Sequence, residues 1–426
     1  MRILPGRSAV RRWWETVRTR AIVASIVLVL MVTTYYLVWF GLADFMEALA
    51  FSGRITGAVL VAVGVGTFLG ALAVFDYQFT RCFPNAGLIA LIGTVAAFVT
   101  NLMLALAVIQ DGDSTLYKVL WSLLTAGSAW AAVMVWRTRV EIPTPKRVAA
   151  AVVVPSVLAL ANFGYQHLYQ PFQHGARPLI TITTGKAMVS QDRKRFAVPV
   201  EIKLENHSDV GFYVLGAEFH AMGEKVPLSP KDRLQNQWRA DSERHRPFRE
   251  RSALSRREIH DAGELVKAEP WLDPGDWIEA NDSFCMRTVV QLPMNTKYDD
   301  LAFYATASFG RKDRLALDHF NNAGYSWKKG KAPSWARSAG SDTVIFRARV
   351  HENNAIDKHT RDHRYMTVYW QFGQHGAGVL PAVTRKGEEG RTGSVAESNE
   401  VVSRYGIVDA DAGPMEQTLW EIKSLR

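Results

Sequence analysis

Apolar residues are arranged in two ways along this chain. Up to residue 172 they form long blocks almost free of charge, whereas beyond 173 they come in short bursts, several of which alternate with polar positions. A membrane crossing needs about 20 mostly apolar residues to span roughly 30 Å of hydrocarbon. The blocks at 21–45, 57–77, 86–109 and 115–136 meet that requirement. A fifth block, "KRVAAAVVVPSVLALANFGYQHLYQPF" (146–172), contains Pro155 and Asn162 and ends in Tyr165, Tyr169 and Phe172. Proline is tolerated in a crossing helix and aromatic residues suit the interface. Its apolar residues run all round the helix rather than along one face, which disfavours a helix lying flat on the membrane. The pattern therefore predicts five transmembrane helices in 21–172, the last at about 147–169, after a basic segment 1–20.

From 179 onward the bursts have the length and composition of strands. They fall at 179–184, 196–204, 210–219, 283–292, 301–309, 343–350, 365–372 and 417–423, rich in β-branched and aromatic residues. Turn sequences such as "ENHSDVG" (205–211) and "LDPGD" (272–276) separate them, and Asn, Asp and Gly tolerate the backbone angles that turns demand. About eight antiparallel strands in 173–426 predict an all-β sandwich. The strand and turn at 201–209, the Asp273-Pro274-Gly275 turn and "TVVQLP" (288–293) resemble pieces of bacterial extracytoplasmic immunoglobulin-like modules. The resemblance covers about a third of the segment. It implies an immunoglobulin-like fold and no functional residue. Insertions near 231–258 and 384–400 interrupt the strand spacing.

Charge gives the pattern a direction. The net +9 divides into +6 on 1–172 and +3 on 173–426. With five crossings, eleven Lys and Arg flank the spans on the N-terminal side, against Arg54 and Lys118 on the other. Basic residues stay in the cytoplasm, so the expectation is a plasma-membrane, multi-pass bacterial protein with a cytoplasmic N-terminus and residues 173–426 outside. Because the charge flanks membrane segments instead of marking one folded domain, nucleic acid is not an expected partner.

Candidate chemistry is sparse. No ionisable residue falls at mid-depth of a span, which disfavours an ion or proton path. The deep amides Asn101 and Asn162 fit hydrogen bonds between helices, and Gly66-x-x-x-Gly70 and "AGSA" (126–129) fit close helix packing. Cys82 and Cys285 form no CxxC motif. The best metal candidate is "HENNAIDKHTRDH", with His351, His359 and His363; His359 and His363 would share one face of a helix, but in a hairpin loop that spacing means nothing. Arg244, Arg246, Arg249 and Arg251 cluster around Pro247-Phe248. They could bind an anion through forked guanidinium groups, or form part of a solvated loop. No nucleophile motif appears and no cofactor is required.

The expectation is a non-enzymatic membrane protein, surrounded by membrane lipid, that anchors an extracytoplasmic binding or scaffold domain. Its partner would be an envelope protein or an anionic surface polymer. The alternative is an accessory subunit of a membrane transport or enzyme complex.

Overall fold

The structure is a computed structural model that describes residues 7–80, 82–83, 85–137, 177–225, 235–236, 239, 263–328, 341–374, 376–385 and 402–424. The expected fifth crossing at 147–169 lies outside them. The chain divides into two compact units. One contains the N-terminal helices together with 313–316 and 351–363, and the other contains the remaining β-rich residues.

The four apolar blocks are helices: α1 (Arg7–Glu47), α2 (Phe51–Phe75), α3 (Ala86–Asp111) and α4 (Thr115–Arg137). All four are long and apolar enough to cross a membrane, so the protein is membrane-embedded. A π-helical turn, Asp76–Thr80, continues α2. The Asp76 carboxylate accepts hydrogen bonds from the Cys82 and Phe83 amides, both at 3.1 Å, and from the Thr80 hydroxyl. This turn and Arg137 lie at the near end of the bundle. The connections at 48–50 and 112–114 lie at the far end.

Hydrocarbon gives helices no hydrophobic reason to associate, so close packing and buried hydrogen bonds must hold them together. Glycine supplies the close packing. A Cβ on Gly70 would sit 2.8 Å from Gly93 Cα, and one on Gly57 would sit 2.4 Å from the Phe45 amide nitrogen. The sequence motif was thus half informative, because Gly70 meets α3 whereas a Cβ on Gly66 would meet nothing within 4 Å. Asn101 supplies the hydrogen bonds expected of it. Its fully buried amide donates to Thr33 Oγ1 at 3.0 Å and Ser128 Oγ at 3.3 Å, joining α3 to α1 and α4.

The long strands of the β-rich unit pair antiparallel. β3 (Arg195–Glu205) pairs with β1 (Leu179–Thr184), β2 (Met188–Val189) and β7 (Ser283–Pro293). A second sheet runs in the order β14 (Val408–Thr418), β8 (Asp300–Arg311), β4 (Phe212–Glu224) and β5 (Glu264–Leu272), with β6 (Trp277–Ile278) also on β4. A third runs β10 (Asn321–Tyr325), β11 (Ser341–His351), β12 (Arg364–Gly373) and β13 (Gly376–Arg385), with β9 (Ala316–Leu317) on β11.

Burial follows from how many faces of a strand are covered. β3 alternates, with Phe196, Val198, Val200, Ile202 and Leu204 buried and their neighbours more exposed. These residues share one core with Phe219, Ala221, Phe303, Ala305 and Phe309 of the second sheet. β4 and β8 are buried almost continuously because their other face is also covered. A Cβ on Gly216 of β4 would lie 2.6 Å from Val379 and 2.9 Å from Val368, in β13 and β12.

One expected strand needs correction. Residues 417–423 are not a strand: β14 ends at Thr418 and a short helix follows at Trp420–Ser424. Leu419 and Ile422 are both buried and three residues apart, the spacing of one helical turn.

Candidate functional site

The segment between β11 and β12 belongs to the helical unit, and it is the most elaborate polar arrangement there. Its sequence "ENNAIDKHT" folds locally for a simple reason. Asn354 stands at a helix N-terminus and accepts the Asp357 amide at 2.7 Å, as a good N-cap does. The result is α5 (Ala355–Thr360), which is capped at its end by Arg361. A helix start leaves its first amides without partners inside the helix. Here the amide of Ala355 is taken by Asp44 Oδ1 of α1, at 2.6 Å.

Further bonds tie this segment to both far-end connections of the bundle. Asn353 Oδ1 accepts the Leu49 amide at 3.1 Å. The Thr360 carbonyl accepts the amides of Asp113 and Ser114 at 2.8 and 2.9 Å. Asp113 Oδ2 in turn accepts the Asp362 amide at 3.0 Å. Lys358 pairs with Glu47 at 3.1 Å in the open, where such a pair contributes little. Ala355 and Ile356 join an apolar cluster with Leu37, Phe40, Leu104, Val108 and Trp121. Asp44, Ala355 and Thr360 are buried. The bond between Asp44 and the Ala355 amide is therefore shielded from water, which makes it costly to break.

The three histidine candidates fall in or beside this segment. His359 is on α5, with Nδ1 2.7 Å from the Ala355 carbonyl oxygen and its ring 4.8 Å from Trp39 and 5.6 Å from Phe40. His363 lies beyond the end of α5, so the four-residue spacing does not place it on the helical face of His359. His351 closes β11. The structure does not bring the three together as ligands: among the described residues, no three or more His, Cys, Asp or Glu converge as a metal site would require. Arg244, Arg246, Arg249 and Arg251 lie outside the described residues.

Sequence reasoning missed Asp44, Asp113 and the docking role of 351–363. The local signal was present, an Asn with Asp three residues on, but its partner lies 311 residues away. Chemically the arrangement is a joint. Its carboxylates and carbonyls are used to hold backbone amides, and it offers no nucleophile beside a base.

No protein-family description matches this chain, and no curated protein matches it. Solved structures show only slight likeness, two of them as follows. An X-ray structure of the Northeast Structural Genomics Consortium target SoR45 is 9% identical, with a TM-score of 0.17, over 32% of this chain and 73% of that one. Spo0M, a sporulation control protein from Bacillus subtilis, is 7% identical, with a TM-score of 0.19, over 54% of this chain and 98% of that one. At these scores neither bears on fold or role.

Proposed function

We propose that this is a plasma-membrane protein with five crossings and a cytoplasmic N-terminus. It would hold residues 173–426 outside the cell as a non-enzymatic binding or scaffold domain. One observation carries this reading. Four crossings return the chain at Arg137 to the near end, yet residues 351–363 are bonded to 44–49 and 113–114 at the far end. This supports one more crossing between 137 and 351, for which 147–169 is the apolar run available. The basic residues concentrated at the near end favour a cytoplasmic position for it. The core shared by the first two sheets favours an immunoglobulin-like sandwich, to which the third sheet is an addition.

Buried hydrogen bonding across the bundle through Asn101, in place of an ionisable path, supports an anchoring role for the helices. The partner on this reading is an envelope protein or an anionic surface polymer. A pair of reporter fusions tests the topology on which the role depends. Alkaline phosphatase, active only outside the cytoplasm, should be inactive when fused after Arg137 and active when fused after Arg426. Inactivity at both points would exclude the extra crossing, and with it an outside domain; activity at both would exclude the extra crossing and the cytoplasmic N-terminus.

A further inference from the structure

We infer that the far end of α1 and α2 holds a site for one anionic phospholipid. Phe51, Arg54, Ile55, Ala58 and Ala62 follow the three- and four-residue spacing of one face of α2. With Phe45 of α1 they line a groove of about 680 Å³. All of them are exposed, Phe51 at 77% and Phe45 at 52%, so the groove is open. Its shape has a local cause. α1 and α2 approach closely at Gly41 and Gly57, where an added Cβ would meet backbone atoms at 2.8 and 2.4 Å. Phe45 and Phe51 are the large side chains of the lining, while the small ones of Ala58 and Ala62 leave a trough.

Length and charge select the occupant. From Phe51 to Ala62 the helix rises about 16 Å, close to half of the roughly 30 Å of hydrocarbon in a bilayer. The groove therefore has the reach of one leaflet, and apart from Arg54 these lining residues are apolar. Arg54 Nε donates to the Ala48 carbonyl at 3.1 Å, which holds the guanidinium beside the 48–50 connection. That bond uses one of five donors. Among the described residues no carboxylate pairs with Arg54: Glu47 is paired with Lys358, and Asp44 accepts the Ala355 amide. The terminal nitrogens can fork onto a phosphate while an acyl chain fills the trough. Charge disfavours other occupants. The apolar run at 147–169 contains no Asp or Glu to meet Arg54. A two-fold contact with a second copy would bring two Arg54 side chains together.

The site stands on the bundle alone and not on the side that the β-rich residues occupy, so its test and the fusion test fail independently. The purified full chain, in a neutral detergent, is mixed with equal amounts of phosphatidylglycerol and phosphatidylcholine of identical acyl chains. Bound lipid is then counted by native mass spectrometry. One phosphatidylglycerol should be retained with about fivefold preference, the effect of one basic residue near anionic lipid. Arg54→Gln should bring the ratio to about one. Arg54→Lys should keep part of it, since an ammonium retains charge but loses the fork. Arg137→Gln, at the near end, should leave it unchanged. Ala58→Trp, at an exposed position, should fill the trough and reduce retention of the first lipid several-fold, which tests the groove even if an Arg54 variant misfolds.

Equal retention of the two lipids by the wild type would overturn the inference. So would a preference that survives in Arg54→Gln, or one lost equally in Arg137→Gln. Unchanged retention in Ala58→Trp would overturn the groove as the seat of the chain. A wild-type dimer that dissociates in that variant would then assign this face to a second copy, and a lowered thermal midpoint would assign it to another segment of the chain.

Discussion

Asp44→Ala should loosen the docking of α5 on the bundle without unfolding either. The variant removes the acceptor of the Ala355 amide, a 2.6 Å bond between residues that are 4% and 5% exposed. A buried donor left without a partner costs about 1–3 kcal/mol, which corresponds to roughly a 5- to 150-fold shift in a local equilibrium. The other ties remain: the Thr360 carbonyl with two amides, Asn353 with Leu49, and Ile356 in its apolar contacts. The segment should therefore open more often while staying docked most of the time. Overall stability is a poor measure, because loss of a buried carboxyl removes a desolvation cost as well. Hydrogen exchange of single amides reads the local event directly. The amides of Ala355, Lys358 and Arg361 should exchange faster by that range, and so should Asp113 and Ser114, whose acceptor is Thr360. Asp44→Asn keeps an acceptor oxygen and should change them only a few-fold. Unchanged exchange at Ala355 and Ser114 in Asp44→Ala would refute the claim that Asp44 holds this joint.

Two further predictions concern the separate units. Gly70→Leu should lower the thermal midpoint in detergent by an amount equivalent to about 1–3 kcal/mol of overpacking, since its Cβ would press on the backbone of Gly93, whereas Gly66→Ala, facing open space, should be nearly silent. In the β-rich unit, the Lys297 ammonium and then the Tyr298 hydroxyl hold the Glu264 carboxyl below its ordinary range. A folded-state value that is lowered adds stability above the unfolded value, and that stability is lost as pH falls through the folded value. Glu264→Gln should thus lower the midpoint slightly at neutral pH, since the pair is exposed, and make its decline on acidification shallower; a steeper decline would contradict the sign.

The helices were legible because a crossing segment must be apolar on every side, a pattern that few other structures share. Their ends were not: α1 begins at Arg7 instead of near residue 21, because "AVRRWWETVRTR" contains nothing that stops a helix. β3 could be found by alternation, since one of its faces is covered and the other is not. β4 and β8 were found as apolar runs, and the loss of alternation itself reported two covered faces. β13 escaped notice because "GAGVLPAVTR" carries Gly and Pro, yet its full pairing with β12 outweighs that local preference. β14 escaped because "DADAGPMEQT" has no apolar burst, and its partner β8 supplies the register. The joint at Asp44 was invisible for another reason. It is made by residues brought together from distant parts of the chain, and a single sequence records no such distance.

The central claim is that the two ends of the bundle lie on opposite sides of a membrane, with the β-rich residues at the far side. The chain already carries a probe for each side. Cys82 is exposed near the Asp76–Thr80 turn at the near end, and Cys285 is exposed on β7. Single-cysteine variants, Cys82→Ser and Cys285→Ser, can be treated in intact cells with a membrane-impermeant maleimide. Desolvation first, and then the hydrogen bond to Glu201, raise the Cys285 thiol, so labelling belongs at about pH 8 or above, where more thiolate is present. The account predicts that Cys285 is labelled without lysis and Cys82 only after it. Labelling of both before lysis, of both only after it, or of Cys82 alone in intact cells would contradict the account.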